Sequence, residues 1–470
     1  MKDDQQSILR PPIVSVLGHV DHGKTTLLDQ IRSTSIASRE AGGITQSIGA
    51  SRVITKEGKM ITFIDTPGHA AFSNMRSRGA KVADIAILVV AANDGIKPQT
   101  KEAIGFIRDA DIPMIVAITK IDLQSGNAEL VKEQLGSEGI KLEGNGGDTP
   151  VVTLSAKTGQ GVDNLLEMII LVSEVKGVKA SNNANLEAVV IETDKDKRGL
   201  LASAVVRNGT LSVGDEIFAG RVSTKVRGLF NYLGKSVASV YPGDSVQILG
   251  FDELPDVGSK IISKSDFSFD PKDQEIEKRH VVPKIEEGQI GVVIKASSSG
   301  GLEAILKNLP EKVVVVYWGV GDVTDTDVFM AKAANVKIFV FEAKVPSSVS
   351  KLAGTENVEI ETFKIIYELF DRLDEMLKKG GHDVLGRAEI LAIFPFSGKK
   401  VAGCKIFEGK FSLGDKFIIK RGEKEIGSLK ALSFKKEKKE ISEAKAGEEL
   451  GILFNVKLDF MVGDMVLSVR

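Results

Sequence analysis

The chain has 470 residues, 42% of them hydrophobic and 27% charged, enough to bury cores of about three domains and to exclude wholesale disorder. A single cysteine, Cys404, excludes a disulfide scaffold and fits a reducing compartment. The net charge of -2 argues against a nucleic-acid coat, yet residues 386–470 hold 17 Lys/Arg against 12 Asp/Glu, a net of +5 that leaves -7 for the remainder. That asymmetry suits either an anionic partner at the C-terminal end or a soluble domain that is mildly basic. The longest apolar stretch, residues 85–92, is far short of the ~20 residues a bilayer-spanning helix needs, so no membrane role is expected. Residues 1–6 show no apolar core of a secretory signal.

In chain order, residues 13–17, 61–64, 85–90, 114–119 and 151–154 read as short, nearly continuous apolar strands, with a helix at 23–32. Strands of that kind separated by helices need a sheet covered on both faces, so residues 12–176 are expected to form a doubly wound α/β domain. Residues 176–183 are polar and small, a linker. Residues 185–265 turn to short alternating strands punctuated by glycine, the pattern of a β-barrel. A charged stretch, 265–287, marks a second boundary. Residues 288–380 return to α/β, with strands at 290–295, 312–317 and 336–341 and helices at 302–309, 325–334 and 347–352. A last helix at 364–379 places Ile365, Ile366, Leu369, Phe370, Leu373 and Leu377 on one face, and Gly380-Gly381 ends it. Residues 385–470 are strand and turn again. Asn208-Gly209-Thr210-Leu211-Ser212-Val213-Gly214-Asp215 parallels Glu408-Gly409-Lys410-Phe411-Ser412-Leu413-Gly414-Asp415, which predicts two barrels of one kind. The fold class is therefore multidomain: a P-loop α/β domain, a β-barrel, a small α/β domain with a long C-terminal helix, and a second β-barrel.

Gly18-His19-Val20-Asp21-His22-Gly23-Lys24-Thr25 fits GxxxxGK[ST] between a strand and a helix. Glycines let backbone N–H groups curl round an anion at a helix N-terminus, the lysine reaches the β and γ phosphates, and the threonine hydroxyl can ligate Mg²⁺. Asp65-Thr66-Pro67-Gly68-His69 ends a later strand, where an aspartate can support the magnesium shell and a glycine N–H can bond a γ-phosphate. Thr119-Lys120-Ile121-Asp122 ends another. Its aspartate can accept from the N1–H and exocyclic amine of guanine, a donor pair adenine lacks. Ser155-Ala156-Lys157 can offer a backbone N–H to guanine O6. Each motif alone is weak; four in this order, all at C-terminal strand ends, are specific. Ser297-Ser298-Ser299-Gly300-Gly301 lacks the lysine of a phosphate loop and reads as a helix entry.

These residues resemble the translational GTPases, most closely the family of bacterial-type translation initiation factor two, and the likeness extends over nearly the whole chain. Residues 39–50 look like its first switch. Asp65 to His69, with Ala71-Phe72 and Met75-Arg76-Arg78-Gly79, is similar to its second. The resemblance implies GTP/GDP and Mg²⁺ as ligands, Thr45 as a second hydroxyl on the metal, His69 as the residue that orients the attacking water, and Val20 and Ile44 as its apolar flanks. His19 and His22 are loop positions rather than catalysts, and His280 and His382 fall in linkers. The resemblance further implies a ribosome-stimulated GTPase that brings formylmethionyl initiator tRNA to the small ribosomal subunit, promotes joining of the large one, meets ribosomal RNA and other initiation factors, and acts as a monomer in the cytoplasm or an organelle matrix. In the last barrel, Gly403 and Cys404, then Glu449, Leu450 and Gly451, match the formyl-methionine region. Lys435 and Lys436 match its basic strand loosely. Two departures stand out: Thr119 replaces the usual asparagine, and Leu450 the usual second cysteine. An elongation-type carrier of aminoacyl-tRNA is disfavoured, because it calls for two barrels directly after the first domain; Asp122 and Ser155 argue against an ATPase.

Overall fold

The structure is a computed structural model that describes residues 8–32, 45–46, 48–144, 146–266, 283, 285–286, 288–378, 384–396, 399–422, 424–436, 439–455 and 458–469. Ile44 and most of the expected first switch, His280, His382, Gly380-Gly381 and most of the 265–287 stretch lie outside them. The described residues form two compact units. The larger holds those up to Leu369 except two short stretches, 285–290 and 310–314; the smaller holds these stretches and everything from Phe370. Among the described residues no helix is long and apolar enough to cross a membrane.

In the larger unit a six-stranded sheet has the order Gly49–Ile54, Met60–Asp65, Ile13–Gly18, Ile85–Ala91, Met114–Thr119, Val151–Thr153. All are parallel except the edge strand Gly49–Ile54, which the sequence reading missed. Ile13–Gly18 and Ile85–Ala91 are buried along their whole length. Val14, Val16, Ile87 and Val89 enter one core with helix Val162–Lys176; Leu17, Leu88 and Val90 enter another with helix Pro98–Ala110. Two packed faces are why these strands read as unbroken apolar runs rather than alternations. Each such side chain contributes about 1.5–3 kcal/mol by leaving water. Sheet order reverses at Ile13–Gly18, and a doubly wound sheet opens a crevice at the C-terminal end of that strand.

Strands Glu187–Asp196, Gly199–Asn208, Glu216–Ala219, Ser245–Leu249 and Lys260–Ser263 build a barrel. It closes through residues 222–231, whose first half pairs with Glu216–Ala219 and whose second half pairs with Ser245–Leu249. The expected linker is not free: Lys179–Ala180 pairs with Ile8–Leu9. A third sheet has the order Val313–Val320, Ile290–Ala296, Lys337–Phe341, Ile360–Phe363, with helices Ser299–Lys307, Asp325–Ala334 and Ser347–Glu356. The long helix runs Ile366–Lys378, and its buried stripe is Ile366, Leu369, Leu373 and Met376. Met376 joins this stripe, and Ile365, Phe370 and Leu377 of the expected face are half-buried.

In the smaller unit, Val384–Phe396, Met465–Val469, Lys416–Arg421, Lys424–Lys436, Glu449–Phe454 and Lys399–Ser412 form a ring, closed by pairing of the first with the last. Phe411, Phe417, Phe434, Phe454 and Phe460 fill it, in contacts with ring centroids 5.2 to 6.1 Å apart. The sequence repeat has a physical cause. Gly209 and Gly409 adopt φ of 71° and 72°, and a Cβ on either would press on backbone carbonyls of Ala184 or Leu385. Five residues on, Gly214-Asp215 and Gly414-Asp415 make the same turn. Asp215 accepts from Ser212 N at 2.8 Å and Asp415 from Ser412 N at 2.7 Å.

Candidate guanine-nucleotide site

A cleft of about 290 Å³ opens at the C-terminal strand ends, lined by Val20, Asp21, Gly23, Lys24, Thr25, Thr26, Thr45, Gly68, His69 and Lys120. A larger groove of about 700 Å³, lined among others by Glu192, Asp194, Lys195 and Lys344, holds no residue of the four nucleotide motifs. We place the chemistry in the smaller cleft, because three of the four motifs line it and Ser155 of the fourth is bonded to Asp122 of the third.

The loop leaves strand Ile13–Gly18 and enters helix Lys24–Arg32. Lys24 Nζ lies across it, donating to Gly18 O at 3.0 Å and to His19 O. Burial pushes this ammonium down to about 8, with Asp65 acting in the opposite sense. A buried cation at a helix N-terminus favours an anion beside it, so the residues fit a phosphate chain. Gly68 closes the other wall. A Cβ there would stand 2.4 Å from Lys24 Nζ and 3.1 Å from Val20 N, so only glycine leaves the cradle open.

Thr25 Oγ1 and Thr45 Oγ1 stand 2.8 Å apart. Magnesium takes octahedral oxygens at about 2.0–2.1 Å, which puts neighbouring ligands about 2.9 Å apart. The two hydroxyls therefore already span one edge of such an octahedron. Asp65 is buried at the end of its strand, and Thr66 Oγ1 donates to Val16 O at 2.8 Å, tying this turn to the phosphate-loop strand.

His69 caps the short turn Ala70–Phe72, its Nδ1 accepting from Ala71 N at 2.8 Å. Its ring is buried and meets Tyr367 edge-on at 4.0 Å. Burial, then the charge of Arg76, pushes the imidazole down to about 4. A neutral ring with Nδ1 accepting carries its hydrogen on Nε2, so it can donate toward water or an oxyanion. His19 and His22 pack edge to face at 5.0 Å, and buried His22 Nε2 meets Asp94 at 3.2 Å. Val20 N donates to Gln99 Oε1 at 3.2 Å.

At the base end, Ser155 Oγ donates to Asp122 Oδ1 at 2.7 Å and holds that exposed carboxyl below its usual range. Ser155 and Ala156 are buried, Lys157 is exposed, and Lys120 takes φ 60° beside Ile121. Thr119 is buried and donates to His22 O at 2.6 Å, so the departure from asparagine still ties the base loop to the phosphate loop.

Sequence reasoning missed Gln46. Its buried amide donates to Lys364 O at 2.7 Å and Glu342 Oε1 at 3.1 Å, and accepts from Ile366 N at 3.1 Å. Position next to Thr45 was the available signal. Ser298 caps helix Ser299–Lys307, and the Gly300 N–H there is already taken by Glu192 Oε1 at 3.0 Å, as a helix entry requires.

In the smaller unit the predicted residues gather on adjoining strands: Gly403 pairs with Gly451, Cys404 with Leu450, and Lys435 with Gly451. Cys404 and Leu450 point into the core, 1% and 4% exposed, and burial pushes the thiol up to about 12. They shape the surface only through backbone, while Gly403 and Gly451 alternate to the other face, Gly403 beside exposed Phe394 and Gly451 beside Val401. Lys436 pairs with Glu448 at 2.7 Å, and Lys435 and Lys405 lie 3.8 and 3.6 Å from Glu440 and Glu449.

Known family models match three stretches of the chain. The Elongation factor Tu GTP binding domain matches residues 10–174, Elongation factor G domain 2 residues 185–264, and Translation-initiation factor 2 residues 270–374. The chain is 39% identical to translation initiation factor IF-2 of Thermoanaerobacter sp. over 99% of its length and 72% of that protein. It is 40% identical to the Thermus thermophilus IF-2 over 97% of its length and 86% of that protein. It spans 60% of the Aquifex aeolicus IF-2. Crystalline GDP-bound aIF5B from Aeropyrum pernix is 27% identical, with 98% of this chain and 92% of that chain covered and a TM-score of 0.46. The chain belongs to the translation initiation factor IF-2 family and is a translational GTPase.

Proposed function

We propose that this GTPase works on the initiating ribosome in the cytoplasm, as modules 12–176, 185–265, 288–380 and 385–470. With GTP bound, it holds formylmethionyl initiator tRNA on the small subunit and promotes joining of the large one. Ribosome-stimulated hydrolysis then releases it. The observation that carries this reading is the match to initiation factors, which runs through the last barrel as well as the nucleotide cleft.

Residues 18–25 and Lys24 hold the phosphates, Asp122 and the 155–157 loop read guanine, and Thr25 and Thr45 hold Mg²⁺ with Asp65 supporting. The metal neutralises charge on the β and γ phosphates when bound. Gly68 offers its N–H to the γ-phosphate. His69, neutral and with its hydrogen on Nε2, orients water for in-line attack. The Gln46 amide links the residue beside Thr45 to positions 364–366, so the ordering of the switch reaches the start of the long helix, which leads along the chain to the last barrel.

The blocked methionine is read on the outer face at Gly403 and Gly451. The two paired glycines let the Phe394 ring lie against Gly403 and Val401 against Gly451, which supplies an apolar wall. The lysines and carboxylates at 405, 435, 436, 440, 448 and 449 lie near this face as paired charges, which makes it a selective surface rather than a bare cationic one. The test is binding of the full chain, with a non-hydrolysable GTP analogue, to formylated and unformylated Met-tRNA. A preference of ~10-fold or more for the formylated form supports the reading; equal affinities reject it.

A further inference from the structure

We infer that Arg76 is a positioning residue for hydrolysis: its buried guanidinium holds the Pro67–His69 turn by the carbonyls on either side of Gly68, and so aims Gly68 N–H and the His69 ring at the cleft. This rests on the proposed roles of Gly68 and His69. Arg76 lies on helix Ser73–Val82 and is 0% exposed, the largest fully buried side chain among the described residues. Nη1 donates to Pro67 O at 3.2 Å and to His69 O. Nη2 donates to Glu102 Oε2 at 2.6 Å on the neighbouring helix, and Glu102 Oε1 accepts from Ser73 Oγ at 2.6 Å.

A trans peptide is planar, and its C=O and N–H point in opposite directions. Fixing Pro67 O toward Arg76 therefore turns Gly68 N–H away from Arg76. Gly68 is the residue on which a Cβ would meet Lys24 and Val20 across the cleft. Fixing His69 O in the same way holds the residue whose side chain lines that cleft. A methionine or leucine would fill the same volume without the cost of desolvating a cation, so packing alone does not call for arginine here. Lysine cannot replace it, because a single ammonium lacks the planar fork that reaches two carbonyls and a carboxylate together. Arg76 also contributes to keeping His69 uncharged.

The experiment uses the full chain with ribosomes and reads kcat and KM for GTP, with the affinity for a fluorescent GDP analogue measured beside them. Arg76→Met should lower kcat ~30- to 100-fold, as small displacements of reacting groups do, with KM and GDP affinity within ~3-fold of the parent. Arg76→Lys should recover only a small part of kcat. Glu102→Gln, which keeps the arginine but loosens its anchor, should lower kcat ~5-fold with affinity kept, and it decides the matter if Arg76→Met does not fold. Unchanged kcat in these variants overturns the inference, as does a parallel loss of kcat and GDP affinity, which would mark a merely structural role. His69→Ala is run alongside. Full turnover in that variant would sink the His69 assignment and this inference with it, whereas loss there with normal Arg76→Met turnover would sink the inference alone.

Discussion

The nucleotide cleft and the last barrel solve opposite problems. In the cleft, polar side chains are buried and cross-tied: Thr119 to the phosphate loop, Thr66 to the neighbouring strand, Ser155 to Asp122, Arg76 to the turn before His69. In the last barrel the buried residues are mainly aliphatic side chains and phenylalanines with one thiol, and most charged groups sit outside in ion pairs such as Lys436–Glu448 and Lys400–Asp459. Exposed pairs are worth little and rearrange readily, about 0–1 kcal/mol each. A cross-tied polar site suits chemistry on a small anion. A barrel with a greasy core and adaptable charged exterior suits a macromolecular partner.

Substitutions in the cleft should therefore have large, specific effects. The largest is expected for Asp122→Asn, which should cost GTP binding ~10³-fold or more while favouring xanthosine nucleotides; competition between GTP and XTP measures it, and an unchanged preference contradicts the base-reading role. His69→Ala should lower ribosome-stimulated turnover ~10²- to 10⁴-fold with nucleotide affinity nearly kept. Single-turnover hydrolysis checks this. Thr119→Val, which leaves the shape and removes the bond to His22 O, should weaken GDP binding ~5- to 10-fold; a loss below about 2-fold in a fluorescence titration would show that the bond is not what holds the base loop.

The smallest effect lies away from both regions. Burial pushes the Glu192 carboxyl up to about 7, opposed by N–H groups of Thr193 and Gly300. An acid whose folded pKa is raised binds its proton more tightly when folded. Its contribution is complete below the ordinary value of 4.5 and is lost as pH rises through about 7. Thermal stability should fall between about pH 5 and pH 8, and Glu192→Gln should flatten that slope. Equal slopes for the two chains would rule Glu192 out as its cause.

What the sequence disclosed follows the same contrast. Gly18 to Thr25 and Asp65 to His69 are legible because backbone curled round an anion tolerates few residue types. The central strands are legible because both faces are packed. The paired glycines at 209 and 409 betray one turn made twice. Edge strand Gly49–Ile54 was missed because only some of its positions are buried. Glu102 carries no local signature and Gln46 only its place beside Thr45, since their partners lie 26 and 318 positions away. In the last barrel a period of two decides which side chains face out, and a motif match alone did not reveal that Cys404 and Leu450 face in.

The most direct measurement is retention of nucleotide by the purified full chain in magnesium buffer, titrated with fluorescent guanosine and adenosine di- and triphosphates. Binding of the guanosine forms, with adenosine forms weaker by ~10³-fold or more, is the predicted result. Comparable affinity for adenosine nucleotides, or no retention of either, would contradict the assignment of the cleft on which every other inference rests.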